Sequence, residues 1–336
     1  MKKIQSLIYV ILVSLFFNGC EQSQKKEKVA IETAVINEKV QNPIFRNIFT
    51  ADPSAHVWND GRLYVYPSHD IAPPKGCDLM DRYHVYSTDD MIHWKDHGEI
   101  LSSNDVPWGR EEGGFMWAPD CAYKDGTYYF YFPHPSGKEW NDTWKIGVAT
   151  SKYPDKNFKV QGYIEGLDPM IDPCVFIDDD GQAYFYYGGG GKCQGGKLAE
   201  NMTEIQGKMQ PMEGLEDFHE ATWVHKKGDI YYLSYSDNHD DGEKHNRMRY
   251  ATSKNPLGPW TYRGIYMEPT DSYTNHGSIV EYKGKWYSFY HNSKLSGGHD
   301  WLRSVCVDEL FFNTDGTIKV VKQTLDPDMK PLPWKE

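Results

Sequence analysis

The sequence has few cysteines, a deficit of positive charge and almost no long apolar or helical stretch, and each shortage excludes a class of protein. Six cysteines occur among 336 residues, and the five besides Cys20 are an odd number without the spacing of a zinc site. A dense disulfide framework is therefore excluded. The net charge of −12 argues against nucleic acid as a partner. Long patterns of helical periodicity are nearly absent.

The only sizeable apolar run stands at the N-terminus, where it predicts an export signal. Two lysines precede a mostly apolar stretch from Ile4 to Phe17, which is short for a membrane span. The stretch leads into Asn18-Gly19-Cys20, which resembles the bacterial lipoprotein signal, in which the cysteine becomes the lipidated first residue. An ordinary secretory signal with an incidental cysteine is the alternative. We expect residues 1–19 to be a signal peptide and residues 20–41 a tether. The protein would then be exported and anchored through lipid on Cys20 to the outer membrane, facing the periplasm or the cell surface.

A recurring pattern of a short strand, a turn with glycine and an aromatic strand indicates an all-β repeat architecture. At least three copies are followed by a second, weaker hairpin, so each repeat is expected to hold four strands. Five such repeats predict a five-bladed β-propeller over residues 42–336. Two tandem β-sandwich domains are the alternative, but no linker-like segment divides this region. The turn glycines of the five copies are Gly61, Gly126, Gly181, Gly228 and Gly284.

The residue just before the first strand is titratable in all five repeats. In a propeller the first strand of each blade lines the central channel. Residues at the same position of each first strand therefore converge at one end of the channel. Aspartate is common at turns, but this accounts poorly for an acid or a histidine in every copy. Clustered carboxyl groups push their pKa values apart and supply one acid and one base at the same pH, as glycoside hydrolysis requires. The five residues are Asp52, Asp120, Asp172, Glu220 and His276.

These residues stand in five motifs: Phe49-Thr50-Ala51-Asp52-Pro53-Ser54, Trp117-Ala118-Pro119-Asp120, Ile171-Asp172-Pro173, Glu220-Ala221-Thr222-Trp223 and Asn275-His276-Gly277-Ser278. Together the motifs resemble glycoside hydrolase family 43, in order over nearly the whole chain after the tether. The resemblance implies a five-bladed propeller that hydrolyses glycosidic bonds in a single displacement, with inversion. It implies arabinosyl or xylosyl linkages in plant cell-wall polysaccharide, such as arabinoxylan, xylan or arabinan, as the substrate. An α-L-arabinofuranosidase or a β-xylosidase is the leading expectation.

The resemblance also implies roles for three carboxyl groups. By position, Asp52 is the general base that activates water, and Glu220 is the general acid that protonates the leaving oxygen. Asp172 is the third carboxylate, which tunes the pKa of the acid and orients it. Many family members have Gly-Pro after the acid, where this chain has Ala221-Thr222. Two nearby residues therefore stay as alternatives for the acid: Glu216 and Asp217.

Four further residues are expected to contact the substrate by the same resemblance: Trp117, Asp120, His276 and Arg303. The reaction requires no cofactor, although His276 matches a histidine that in many members organises a water or a calcium ion in the channel.

Three other functions remain compatible with the sequence. One is endo-acting hydrolysis by a xylanase or arabinanase of the same family. Another is a non-catalytic surface propeller that binds glycans, although a protein that only binds glycans has no need of three carboxyl groups at equivalent positions of the repeats. The third is a sialidase-like propeller, which would need a cluster of arginines and a tyrosine nucleophile, whereas arginine is sparse near the convergent positions.

Overall fold

Antiparallel sheets of three or four strands follow one another along the chain and form the blades of a propeller. The computed structural model describes residues 40–72, 78–139, 143–237 and 246–335, all within the unit Glu38–Glu336. The first blade contains β1 (Phe49–Val57), β2 (Leu63–Asp70), β3 (Arg82–Thr88) and β4 (Trp94–Ser102). The second contains β5 (Asp120–Lys124), β6 (Thr127–Pro135), β7 (Trp144–Ser151) and β8 (Lys159–Tyr163).

The remaining blades repeat this arrangement. The third contains β9 (Cys174–Ile177), β10 (Ala183–Gly189), β11 (Lys192–Leu198) and β12 (Ile205–Pro211). The fourth contains β13 (Phe218–Lys227), β14 (Ile230–Asp237), β15 (Met248–Ser253) and β16 (Thr261–Met267). The fifth contains β17 (Ser278–Tyr282), β18 (Lys285–Asn292) and β19 (Ser304–Leu310). Two short 3-10 helices, Ser103–Asp105 and Lys294–Ser296, lie in connections.

The five first strands surround a common axis, because each contacts the next in the cyclic order β1, β5, β9, β13, β17 and back to β1. This closed order confirms the predicted five-bladed propeller. The five predicted turn glycines all adopt a positive φ, between 57° and 82°, which disfavours any residue with a Cβ. The repeat seen in the sequence is therefore the repeat of the blades.

The hydrophobic core lies between adjacent blades. Between the first and second blades, for example, the rings of Tyr66 and Tyr83 pack against Phe130 at centroid distances of 5.9 and 5.0 Å. All three side chains are fully buried. The high tyrosine content is thus largely explained by inter-blade packing, in which the ring is buried and the hydroxyl group reaches a polar partner. Tyr66, for instance, donates a hydrogen bond to the carbonyl of Pro154.

The fifth blade is completed by residues from the start of the described chain. The Ile44 amide donates a hydrogen bond to the Val305 carbonyl on β19 at 2.8 Å. The side chain of Asn42, which is fully buried, accepts from the Val307 amide at 2.8 Å and donates to the Val307 carbonyl at 2.9 Å. These bonds satisfy the free edge of β19 and close the ring of blades.

The cysteines of the described residues form no disulfide. Cys121, Cys174, Cys193 and Cys306 are free and buried. Cys20 and Cys77 lie outside the described residues, as do the predicted signal peptide and nearly all of the predicted tether. Within the described ranges no helix has the length and apolar character needed to cross a bilayer.

Candidate active site

A cavity of about 270 Å³ opens at one end of the central channel, where the first strands begin. It brings together six of the seven residues expected at the site from the sequence. Its walls are formed by Asp52, Met80, Trp117, Ala118, Ile171, Asp172, His219, Glu220, Tyr273, Thr274, His276, Trp301 and Arg303.

Irregular backbone places the three carboxyl groups in this cavity. Asp52 and Glu220 lie inside β1 and β13, at register shifts, rather than before the strands as the sequence suggested. Asp52 has a φ of 49°, Asp172 a φ of 55° and Ala221 a φ of 66°. Such left-handed conformations are uncommon outside glycine and cost about 1–3 kcal/mol each. Hydrogen bonds hold two of these backbone positions, because the Asp52 amide donates to His291 and the Ala221 amide donates to Asp172.

Asp52 is held in its ionised form. Burial by itself raises the pKa of this carboxyl group, but the charge of Arg303, the neighbouring imidazole rings of His291 and His276 and a hydrogen bond from Ser68 outweigh that effect and lower the pKa to about 2. The Ser68 hydroxyl donates to Oδ2 at 2.6 Å, and the Arg303 guanidinium donates to Oδ1 at 3.1 Å. A buried, ionised carboxylate suits the general base of a hydrolase, which must accept a proton from water.

Two residues that sequence reasoning missed support Asp52 indirectly. Asp70 binds the Arg303 guanidinium through both carboxylate oxygens, at 2.8 and 2.9 Å, and so fixes its direction. The Asp52 amide donates to Nδ1 of His291 at 3.1 Å, which means that Nδ1 is unprotonated and Nε2 carries the proton donated to the Thr274 carbonyl at 2.9 Å. Burial lowers the pKa of His291 to about 4, in agreement with a neutral ring.

The pKa values of Asp172 and Glu220 are shifted in the opposite direction to the pKa of Asp52. Burial raises the pKa of Asp172, and the neighbouring Glu220 carboxylate raises it further. Burial also raises the pKa of Glu220, against a lowering influence from His219, whose Nε2 lies 3.9 Å from Oε2. Asp172 accepts a hydrogen bond from the Ala221 amide at 2.7 Å and thereby fixes the backbone next to Glu220. The pair therefore retains a proton at a pH where Asp52 has lost its own.

The two alternatives for the acid lie outside the cavity wall. Asp217 forms an ion pair with Arg249 at 2.9 Å, and its side chain is 60% exposed. The Glu216 amide and carbonyl both bond to the Tyr235 hydroxyl. Of the three neighbouring acids, Glu220 is the one that lines the cavity.

Asp120 does not line the cavity, although the sequence suggested a contact with substrate. Its carboxylate is fully buried and bonds to the two neighbouring blades. Oδ1 accepts from Ser54 at 2.6 Å and lies 2.6 Å from Nε2 of His56, while Oδ2 accepts from the Val175 amide at 2.6 Å. The structure therefore places Asp120 in a network that joins β1, β5 and β9 beneath the cavity.

Aromatic rings form the sides of the cavity. Trp117 is supported by Trp144, with ring centroids 4.4 Å apart. On another side Tyr273 and Trp301 lie 6.1 Å apart, and Tyr273 is 41% exposed. Sequence reasoning identified Trp117 but missed Tyr273 and Trp301. Flat apolar walls around a few polar groups are typical of small-molecule sites.

The chemistry of these carboxyl groups needs no cofactor. Among the residues that the structure describes, no cluster of three or more His, Cys, Asp or Glu side chains could hold a metal ion. His276 lines the cavity, with Nδ1 3.7 Å from Oδ2 of Asp172. Burial lowers the pKa of His276 to about 4, so the ring is neutral at ordinary pH.

Comparison with known proteins identifies the family. The profile of glycosyl hydrolases family 43 matches residues 40–318. The chain belongs to this family. It is accordingly a glycosidase, which hydrolyses O-glycosyl bonds, and the expectation drawn from the five motifs is confirmed.

Three relatives are similar over most of their length. A xylosidase/arabinosidase of Bacteroides ovatus is 38% identical, covering 82% of this chain and 95% of that protein. Xylosidase/arabinosidase 43A of Humicola insolens is 37% identical, covering 83% and 99%. A family 43 β-xylosidase/α-arabinofuranosidase from a compost microbial metagenome, solved with xylotriose in a calcium-free form, is 37% identical. Its TM-score is 0.76, with coverage of 87% of this chain and 99% of that chain.

The hydrogen bond from Ser68 to Asp52 gives a prediction about pH dependence. Ser68→Ala removes a bond that favours the ionised carboxylate, so the pKa of Asp52 rises by about one unit or less. Because the base must be ionised, the acidic limb of the kcat/KM profile is expected to move to higher pH, with little change at the plateau. Ser68 does not line the cavity, so substrate contacts are retained. The buried Ser87, which bonds to His97 in the same blade, provides the control Ser87→Ala. If the acidic limbs of the two variants lay at the same pH, the result would contradict the role of Ser68 in lowering the pKa of Asp52.

Proposed function

We propose that this glycosidase removes terminal xylosyl or arabinofuranosyl residues from plant cell-wall polysaccharide or its oligosaccharides, with inversion. The observation that carries the proposal is the set of three carboxyl groups in one cavity, of which Asp52, with a pKa of about 2, and Asp172, with a raised pKa, are buried, and Glu220, also with a raised pKa, is partly buried. This is the charge distribution that an acid–base pair requires at a single pH. The names of the relatives, xylosidase/arabinosidase and β-xylosidase/α-arabinofuranosidase, support pentoses as the substrate class.

The placement of the two carboxyl groups supports a single displacement. Asp52 lies on β1 of the first blade and Glu220 on β13 of the fourth, and these blades are not neighbours in the ring. An inverting pair is separated by about 6.5–9.5 Å, which leaves room for water beside the sugar, whereas a retaining pair is about 5–5.5 Å apart. Asp52 takes a proton from the water that attacks the anomeric carbon, while Glu220 gives its proton to the departing oxygen. Arg303 and Ser68 keep Asp52 ionised before the step.

The size of the cavity supports exo action. A volume of about 270 Å³ with aromatic walls suits one terminal sugar better than several units of a continuous chain. Endo-acting hydrolysis is the second candidate, and the products separate the two. The wild type should release monosaccharide from aryl β-D-xyloside, aryl α-L-arabinofuranoside or both, and monosaccharide alone from xylan, arabinoxylan or arabinan. Early release of oligosaccharides from the polymers would favour the endo candidate, and failure to cut any of these substrates would contradict the proposal.

We also propose a calcium ion in the channel, supported by His276 in the cavity wall and by the explicit calcium-free state of the metagenomic relative. Calcium takes six to eight oxygen ligands, whereas His276 offers one nitrogen, so water would have to supply most of the shell. No catalytic step therefore depends on the ion. The expected result is unchanged kcat in a metal-free preparation with excess chelator. A loss restored by calcium alone would give the ion a functional role.

A further inference from the structure

His219 and Glu220 are consecutive residues of β13, yet both line the catalytic cavity, which contains the three carboxyl groups. In a regular strand consecutive side chains point to opposite faces of the sheet. The strand is irregular here. Phe218 pairs with Asp237 on β14, whereas Glu220 pairs with the adjacent Ser236. His219 is therefore an extra residue, and such a bulge redirects a side chain. The bulge accounts for a histidine beside the general acid.

The orientation of the His219 ring is set by Asn246. This asparagine is buried, and its Nδ2 lies 3.2 Å from Nδ1 of His219. An amide nitrogen can only donate, so Nδ1 accepts, and the neutral ring carries its proton on Nε2. The backbone is held as well, because the His219 carbonyl accepts a hydrogen bond from the Gly191 amide at 3.2 Å. Asn246 thus fixes both the tautomer and the direction of the ring.

The N–H group of His219 has the Glu220 carboxyl group as its neighbour. Nε2 lies 3.9 Å from Oε2, about 1 Å more than the length of a hydrogen bond to a carboxylate. The two side chains are 27% and 21% exposed, so neither is locked in the core. A rotation of Glu220 that moves Oε2 by about 1 Å would form the bond. Hydrogen bonds of catalytic groups are often long in the free enzyme and shorten during the reaction.

The surroundings of Glu220 leave this position for a donor. The other titratable or charged groups of the cavity wall lie on different elements: Asp52, Asp172, Tyr273, His276 and Arg303. Burial and the Asp52 carboxylate raise the pKa of Glu220, whereas the His219 ring and the Arg303 guanidinium lower it. The guanidinium is bonded to the carboxylates of Asp52 and Asp70. His219 is therefore the neighbour whose position suits a hydrogen bond to the ionised acid.

We propose that His219, oriented by Asn246, is a positioning residue that donates a hydrogen bond from Nε2 to the Glu220 carboxylate as this group gives up its proton. The proton of Glu220 passes to the leaving oxygen, and the proton of Nε2 stays on the ring. The bond is made to the ionised carboxylate, so it stabilises the transition state more than the bound substrate. This role rests on the proposed function, in which Glu220 is the acid.

The variants His219→Gln and His219→Met test this role, because their side chains are similar in length and only glutamine retains an N–H group. Loss of a donor that favours the carboxylate raises the pKa of the coupled Asp172 and Glu220 pair. In His219→Met the basic limb of the kcat/KM profile is expected to move to higher pH by about half a unit to one unit. In His219→Gln it should stay near the wild-type position.

The same pair of variants should differ in a way that depends on the leaving group. On xylobiose, kcat of His219→Met should fall by about three- to tenfold, because its acid is weaker. On a dinitrophenyl β-D-xyloside, which departs without a proton, the loss should be about twofold or less. His219→Gln should resemble the wild type on both substrates.

The part played by Asn246 is tested by Asn246→Leu, which keeps the size of the side chain and removes the donor to Nδ1. The basic limb is expected to move in the same direction as in His219→Met. In the double variant the leucine should add no further shift, because no ring is left to orient. Additive shifts would contradict an action of Asn246 through His219.

The control is His225→Phe, which replaces a histidine of the same strand outside the catalytic cavity and should keep the wild-type profile. Coinciding basic limbs in His219→Met and His219→Gln would overturn the positioning role. A higher KM for xylobiose in His219→Met without a shift of the limb would overturn it too, and would place His219 against the leaving sugar. A wild type that cuts neither substrate would contradict the proposed function itself. Thermal midpoints establish that each variant is folded.

Discussion

The Asp52→Asn variant is expected to lose kcat/KM by about a hundred- to ten-thousandfold on every glycoside, whatever its leaving group. The amide has nearly the same shape as the carboxylate but cannot accept the proton of the attacking water. Activation of water is needed whichever group departs, so an activated aryl glycoside should not rescue the variant. Rates on an aryl β-D-xyloside and on xylobiose, measured beside the thermal midpoint, check this result.

A matched control for this variant is Asp308→Asn. Asp308 bonds to Tyr290, Thr324 and Asn42 where the ring of blades closes, and it does not line the catalytic cavity. Its replacement is expected to lower stability while leaving kcat/KM nearly unchanged. An Asp52→Asn variant that hydrolyses at the wild-type rate would remove Asp52 from the role of base.

The Glu220→Gln variant is expected to show a loss that depends on the leaving group. On xylo-oligosaccharides, whose leaving alkoxide needs a proton, kcat/KM should fall by about a hundred- to ten-thousandfold. On a dinitrophenyl glycoside, which departs readily without a proton, the loss should be about tenfold or less. Burial raises the pKa of Glu220, and a raised pKa favours the protonated form that this step requires.

The control for this second variant is Asp217→Asn, which alters the exposed partner of Arg249 that the sequence left as an alternative acid. It should hydrolyse both kinds of substrate like the wild type. Equal losses on good and poor leaving groups in Glu220→Gln, or a leaving-group dependence in Asp217→Asn instead, would contradict the assignment of the acid.

The repeat in the sequence was sufficient to predict the blades, because each blade is a local unit whose strands and turns follow one another along the chain. The phase of the repeat also selected four of the residues that line the cavity: Asp52, Asp172, Glu220 and His276. It also selected Asp120, which does not line that wall and instead belongs to the network beneath it. The position of a residue within the repeat predicts the end of the channel at which the residue lies, but it does not predict how deeply the side chain is buried.

The supporting residues could not be predicted from the sequence. Ser68 and Asp70 lie on β2, and His291 lies on β18. None of them therefore belongs to the first strands, whose repeat identified the other residues of the site. Asp70 meets Arg303 across 233 positions of sequence, and His291 meets Asp52 across 239. The contacts of Asp70 with Arg303 and of His291 with Asp52 exist only because the ring of blades closes. The left-handed backbone at Asp52, Asp172 and Ala221 could not be predicted from the sequence either, since none of these residues is glycine.

The central claim is that Asp52 and Glu220 hydrolyse a pentoside by single displacement, and proton NMR of the first-formed sugar tests it most directly. The wild type is mixed with an aryl β-D-xyloside or an aryl α-L-arabinofuranoside, and the anomeric signals are followed before mutarotation. The account predicts that the first product has the anomeric configuration opposite to that of the substrate, α-xylose from the β-xyloside for example. A first product with the configuration of the substrate would contradict it.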